Sequence, residues 1–208
     1  MHTLIEKAWT FLADRFTGRN AKSFTVHRSI MTIPNMVTIS GILWTIIYTV
    51  QYSFGIATGL IPFLVVLIVL TDAADGYLAD RLNQHSSYGR VLDPVRDRLF
   101  TAALLGNLWI IAGKAVLVPI GLLVLSEVLL ALEAMVLYHI SGEMPVVHWI
   151  GKARSALQWV LGYAVLFQAY WLGRVIVSPV ILTYVMAFAS IAAYIYYSTY
   201  YFARHRKL

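Results

Sequence analysis

The chain has no cysteine and little charge. None of its 208 residues is Cys, and Asp, Glu, Lys and Arg together make up only 12%. The missing cysteine excludes disulfides and thiolate metal sites, and it leaves the redox compartment unread. A soluble domain carries about 25% charged residues, so water is not the expected main solvent for this sequence. What fills the space is apolar, at 60% of the residues. A net charge of +6 would suit nucleic acid, but the basic residues form no single basic stretch. They lie between apolar runs, which points to anionic lipid headgroups and to no nucleic-acid partner. There is no internal repeat and no low-complexity tract, and the length fits one domain.

A spanning helix needs about 20 mostly apolar residues. Six segments qualify: Met36 to Tyr52, Ile61 to Leu82, Pro94 to Ala112, Ala115 to Tyr138, Ala156 to Leu172 and Ser178 to Phe202. The first begins too deep in the chain for a cleavable signal peptide. Ahead of it, Leu4 to Phe16 alternates apolar and charged residues in a helical rhythm, which predicts an amphipathic helix lying on the membrane. The expected architecture is an all-α integral membrane protein. It has an interfacial arm over residues 1–30 and a transmembrane domain of six helices over residues 31–208.

With the N-terminus in the cytoplasm, 14 of the 16 Lys and Arg residues fall on one side, and only Lys114 and Arg174 lie opposite. That asymmetry predicts an even number of spans with both termini cytoplasmic. Trp44, Tyr48, Trp149, Trp159, Trp171 and the run Tyr194 to Tyr201 lie near segment ends, where aromatic belts face the headgroups. Ala189 and Ala193 form a small-xxx-small pattern suited to a helix interface.

The chemistry is concentrated in Asp72-Ala-Ala-Asp75-Gly76-Tyr-Leu-Ala79 and Gly89-Arg-Val-Leu-Asp93-Pro-Val-Arg-Asp97. Asp72 and Asp75 end one apolar helix, and Asp93 and Asp97 begin the next. Spacings of three and four put each pair on one helical face. Four ionised carboxylates meeting near the membrane surface need neutralisation. Hard oxygen donors suit Mg²⁺, Mn²⁺ or Ca²⁺, and four carboxylates can share two ions, the usual arrangement for phosphoryl displacement. Gly76 would let a phosphate or base approach the backbone; Gly89 would do the same or merely form the turn. The alternative is that the carboxylates are interfacial and paired with Arg81, Arg90, Arg96 and Arg98.

These residues resemble the CDP-alcohol phosphotransferases, whose motif is D-x2-D-G-x2-A-R-x8-G-x3-D-x3-D. Asp72, Asp75, Gly76, Ala79, Gly89, Asp93 and Asp97 match it with every spacing kept. Ile33-Pro34-Asn35-Met-Val-Thr38 looks like the family's entry to its first membrane helix. Leu92-Asp93-Pro94-Val95 and Trp149-Ile150-Gly151-Lys152 look like its phosphatidylglycerophosphate synthase and cardiolipin synthase branch. The resemblance implies six membrane helices, a homodimer, and transfer of a phosphatidyl group from CDP-diacylglycerol to an alcohol with release of CMP. Asp72, Asp75, Asp93 and Asp97 would hold two Mg²⁺ or Mn²⁺ ions, with Asp97 also the general base. Asn35, Thr38, Gly76, Ala79, Ser86 and Gly89 would line the CDP-diacylglycerol site. The site would face the cytoplasm of a bacterial inner membrane or its equivalent. Glycerol 3-phosphate is the first expected acceptor and phosphatidylglycerol the second.

Three departures stand out. The family's Arg after Ala79 is Asp80 here, which reverses the charge and predicts a partner such as Arg96 or Arg98. The stretch ending at Gly41 lacks the Arg commonly found there. In the fourth helix the family's Arg-Glu pair is Ser126-Glu127, so Glu127, Lys152 and Arg154 are the candidates for acceptor binding. Glu133, six residues on, lies on another face. A degenerate, non-catalytic family member is the reading that Asp80 motivates. A transporter would instead carry its charges near the midplane on several helices.

Overall fold

The computed structural model describes residues 31–56, 58–86, 88–141 and 149–205. Six α-helices follow one another there: α1 (Ile33–Phe54), α2 (Ile61–Leu82), α3 (Gly89–Ala112), α4 (Leu117–Ser141), α5 (Trp149–Tyr170) and α6 (Pro179–His205). Short 3-10 turns at Thr58–Leu60 and Gly113–Val116 precede α2 and α4. The amphipathic arm expected before residue 31 lies outside the described residues. Each of the six apolar segments has its helix, and the second coincides with it. The largest shift is in the fifth, where α5 starts at Trp149, seven residues before the expected Ala156. Lys152 and Arg154 therefore sit on a helix and not in a loop. Both are good helix formers, and an apolar-run criterion discards them.

Among the described residues, four stretches are long and apolar enough to cross a membrane: Ile33–Phe54, Thr58–Leu82, Val91–Val136 and Pro179–Tyr200. The third contains most of α3 and α4. α5 is not among them, because Lys152, Arg154, Gln158 and Gln168 lower its hydropathy.

The chain divides into two compact units, residues 1–104 and 105–208, with the division inside α3. In the first unit, α1 packs along α2. The buried face of α1 is largely polar: Asn35, Thr38, Gly41, Thr45 and Tyr48 recur every three or four residues. Its outer face carries Met36, Leu43, Ile46, Ile47 and Val50, all 40% or more exposed. Burial of apolar area cannot drive such a helix in water. The pattern suits a lipid surround, in which close packing and hydrogen bonds hold helices together. This is a multi-pass membrane protein.

Thr32 caps α1, its Oγ1 accepting from the Asn35 N–H at 3.4 Å, and Pro34 occupies the first turn, where its missing N–H is harmless. Tyr48 was expected in the aromatic belt. It is instead fully buried, its ring 6.3 Å from that of Phe100 and 5.1 Å from that of Tyr52.

In the second unit, α6 packs against both α4 and α5 around Leu105, Leu108, Leu123, Val165, Met186 and Ala187. Gln158 Nε2 donates to Ser190 Oγ at 2.7 Å, and Tyr170 Oη donates to Asn107 Oδ1 at 2.6 Å. Gln168 closes the α5–α6 connection: Oε1 accepts from the Ile176 and Val177 N–H groups, and Nε2 donates to the Val177 carbonyl. Among the described residues of α6, Thr183, Ala187, Ser190 and Ala193 are buried small residues; Ala193 belongs to the expected pair, whereas Ala189 is only half-buried beside this stripe. Tyr197 also turns inward from the aromatic run, at 8% exposure.

A methyl group added at Gly151 would lie 2.6 Å from Tyr197 Oη, whereas one at Gly121 meets nothing within 4 Å. Gly151→Ala is expected to destabilise by about 1–3 kcal/mol through overpacking. Gly121→Ala is expected to be neutral or to stabilise by up to about 1 kcal/mol through helix propensity. Thermal unfolding of the two variants in the same detergent checks the order, and a Gly151→Ala protein as stable as the Gly121→Ala protein contradicts it.

Candidate functional site

The end of α2 is closed by Asn83, in the left-handed conformation at φ 51°. Asn tolerates that region better than most residues. Its N–H bonds the Asp80 carbonyl at 3.3 Å, and the Gln84 N–H bonds that of Ala79 at 3.0 Å. The chain then turns back within a few residues. Gln84 Oε1 accepts from the Ile33 N–H at 3.2 Å, tying the turn to the start of α1. Ser86 Oγ accepts from the Gly89 N–H and donates to Asn35 Oδ1, both at 2.9 Å. A methyl at Gly89 would stand 2.7 Å from Asn35 Oδ1. Glycine is needed there for helix approach, a role that neither sequence expectation named.

This closure sets the start of α3 beside the end of α2 and the start of α1. Asn35, Thr38, Gly76, Ala79, Ser86 and Gly89 line one cleft together with Asp75 and Asp93. Asn35, Thr38 and Ser86 are almost wholly buried. Gly76 has open space where a side chain would be. Thr38 Oγ1 lies 2.8 Å from Asp75 Oδ2, 3.1 Å from the Pro34 carbonyl and 3.3 Å from Asp93 Oδ1. Its single proton serves one of the three at a time, so the hydroxyl links a carboxylate of α2 to one of α3.

The other carboxylate contacts converge on Arg96. Its guanidinium pairs through Nη2 with Asp72 and through Nη1 with Asp75, and Nη2 stands 3.5 Å from Asp97. Arg96 is 2% exposed, whereas Asp72 is 34% and Asp97 48% exposed. The four aspartates are thus gathered in one unit: three on a guanidinium, and Asp75 and Asp93 on a shared hydroxyl. The sequence alternative names Arg96, with Arg81, Arg90 and Arg98, as a partner of these carboxylates, and its ion pairs agree with that for Arg96. A basic residue one position before a motif Asp signals proximity, but not that its side chain turns inward.

Asp80 does not pair with Arg96 or Arg98 as expected. It is 81% exposed, and Oδ1 stands 3.2 Å from His85 Nε2. Arg81 reaches Tyr77, donating to its hydroxyl at 2.8 Å. Of the four arginines in the alternative pairing, Arg96 meets Asp72, Asp75 and Asp97.

In the second unit, Glu127 of α4 pairs with Arg154 of α5, at 15% and 12% side-chain exposure. Ser126 is turned back onto the Leu123 carbonyl at 2.7 Å. The side chain of Lys152 lies outside the described residues. The Glu133 carboxyl hydrogen-bonds to Ser198, and its Oε2 is buried with no hydrogen-bond partner among the described residues.

Four carboxylates and a hydroxyl are a hard-oxygen donor set, the kind that takes Mg²⁺ or Mn²⁺. As arranged, no group of three or more acidic or His side chains among the described residues forms a metal-holding cluster. The guanidinium marks the spot where three of them accept a positive charge. The donor set suits a divalent cation in its chemistry, and the cation that three of the carboxylates meet in this structure is Arg96.

A family model described as CDP-alcohol phosphatidyltransferase matches residues 31–196. A CDP-diacylglycerol–glycerol-3-phosphate 3-phosphatidyltransferase of Pseudomonas fluorescens is 35% identical over 101 residues, 42% of this chain and 50% of the relative. A cardiolipin synthase (CMP-forming) of Streptomyces coelicolor is 34% identical over 139 residues, 61% of this chain and 60% of the relative. A CDP-diacylglycerol–glycerol-3-phosphate 3-phosphatidyltransferase of Wigglesworthia glossinidia brevipalpis is 23% identical over 175 residues, 80% of this chain and 94% of the relative. The chain thus spans 50% and 60% of the length of the first two relatives.

Proposed function

Because this chain belongs to the CDP-alcohol phosphatidyltransferase family, we propose that it transfers the phosphatidyl group of CDP-diacylglycerol to an alcohol and releases CMP. The observation that carries the reading is the gathering of Asp72, Asp75 and Asp97 on one cation, beside a cleft that Asp93 lines. Glycerol 3-phosphate is the first acceptor, in keeping with the name of the Pseudomonas fluorescens relative. Phosphatidylglycerol is the second, favoured by the cardiolipin synthase name of the relative that matches 61% of the chain.

In this reading Asp72, Asp75, Asp93 and Asp97 hold two Mg²⁺ or Mn²⁺ ions. When bound, these ions neutralise the pyrophosphate and the departing CMP. Asn35, Thr38 and Ser86 present polar groups in the cleft, and Gly76 and Ala79 leave room for the nucleotide. Asp97 is the most solvent-accessible of the aspartates in the Arg96 cluster. It takes the proton of the acceptor hydroxyl as that oxygen forms its bond to the phosphorus bearing diacylglycerol. The bond to the CMP oxygen breaks on the opposite side. Arg154, oriented by Glu127, and Lys152 bind the acceptor phosphate.

The acyl chains stay in lipid throughout. Six spans with both termini and the site on the cytoplasmic side, and a homodimer, complete the proposal; the asymmetry of Lys and Arg supports the sidedness. The test is CMP release by the full chain in lipid nanodiscs, supplied with CDP-diacylglycerol, Mg²⁺ or Mn²⁺, and a panel of acceptors. Release that depends on glycerol 3-phosphate or phosphatidylglycerol is expected. No release with any alcohol in the panel would leave the non-catalytic family member standing.

A further inference from the structure

Arg96 has a seat of its own, separate from its ion pairs. A methyl at Gly41 would stand 2.9 Å from Arg96 Cδ, 3.7 Å from its Nη1 and 2.9 Å from Thr71 Oγ1. The missing side chain on α1 is therefore the space through which the arginine stem reaches the carboxylates. Arg96 of α3 fills the volume that a side chain at position 41 would take. Its guanidinium then meets Asp72, Asp75 and Asp97 at 2% exposure. An arginine stays protonated in proteins, and a buried cation with three carboxylates at hand keeps its place unless another cation replaces it.

We propose that Arg96 is a built-in counter-ion of the aspartate cluster, which competes with divalent metal for the same carboxylates and sets the metal affinity of the site. The inference rests on the metal-binding role proposed above for the four aspartates. A divalent ion that engages Asp72, Asp75 and Asp97 has to displace the guanidinium from them. The protein without metal is held together by that same guanidinium. Metal binding and withdrawal of Arg96 are thus one exchange of cations.

The test uses the full chain in nanodiscs made of zwitterionic lipid. Mn²⁺ is the probe, and free Mn²⁺ is followed by electron paramagnetic resonance, with thermal unfolding measured in EDTA. Arg96→Ala is expected to bind Mn²⁺ at least about tenfold more tightly than the parent, because no internal cation opposes it. It is expected to unfold at a lower temperature in EDTA and to recover on adding Mn²⁺. Gly41→Ala changes no charged group, but its methyl displaces the Arg96 stem, so it is expected to move Mn²⁺ affinity in the same direction.

Should Arg96→Ala fail to fold, Gly41→Ala decides the matter: tighter binding supports the exchange and unchanged binding overturns it. Equal or weaker Mn²⁺ binding by a folded Arg96→Ala protein overturns the role of Arg96 and leaves the metal site standing. Absence of Mn²⁺ binding in parent and variants alike overturns the metal site and this inference together.

Discussion

Asp97→Asn is expected to lower CMP release by about 10²–10⁴-fold, the usual contribution of a positioned general base. The substitution keeps the volume of the side chain and an oxygen able to accept from Arg96, 3.5 Å away. It removes the capacity to take a proton from the acceptor hydroxyl. The donor cleft is lined by Asn35, Thr38, Gly76, Ala79, Ser86 and Gly89 and does not include Asp97, so binding of CDP-diacylglycerol is expected to persist. Turnover and donor affinity measured on one preparation separate the two effects. Near-normal turnover by Asp97→Asn would remove Asp97 as the base. A parallel collapse of donor binding would mean that its main role is to hold the cluster together.

Glu127→Ala is expected to have the largest effect on stability. It leaves the Arg154 guanidinium in the second unit with its carboxylate partner gone, at a position where only 12% of the side chain is exposed and Nε has no hydrogen-bond partner among the described residues. Removing one member of a fully buried ion pair costs about 3–5 kcal/mol, and this part-buried pair belongs at the low end, about 3 kcal/mol. For a chain of this size that corresponds to a fall in unfolding temperature of about 10 °C. The double substitution Glu127→Ala with Arg154→Met is expected to recover most of the loss, because it removes the charge along with its partner. If the single variant melts with the parent, the pair is not a structural anchor between α4 and α5. If Arg154→Lys leaves stability unchanged but weakens use of glycerol 3-phosphate, Arg154 acts chiefly on the acceptor.

The architecture was legible because lipid makes a strong demand on a sequence. A backbone in hydrocarbon has to bond to itself, so every apolar run of sufficient length becomes a helix. All six of the expected runs are helical, within a few residues at most ends, and among the described residues four stretches are long and apolar enough to cross a membrane. α5 was misplaced at its start because Lys152 and Arg154 break the apolar run without breaking the helix. The aspartate spacing was equally legible. Asp72 with Asp75, and Asp93 with Asp97, share helical faces by geometry alone. A short connection between consecutive helices leaves them little room to part.

The sequence by itself determined a helical membrane protein and two pairs of carboxylates on the faces of consecutive helices, since periodicity and spacing act locally along the chain; the resemblance of its motif pointed to the CDP-alcohol phosphatidyltransferase family. Tertiary structure decided which cation those carboxylates meet and which polar groups face inward. From the sequence Arg96 is one of four arginines offered as partners for the carboxylates. It is buried because Gly41, 55 positions earlier on another helix, has no side chain to exclude it. Asp80 turns to His85, and Tyr48 leaves the aromatic belt for Phe100. Partners so far apart in sequence are chosen by the volumes left between packed helices, and no period or motif along a single chain encodes those volumes.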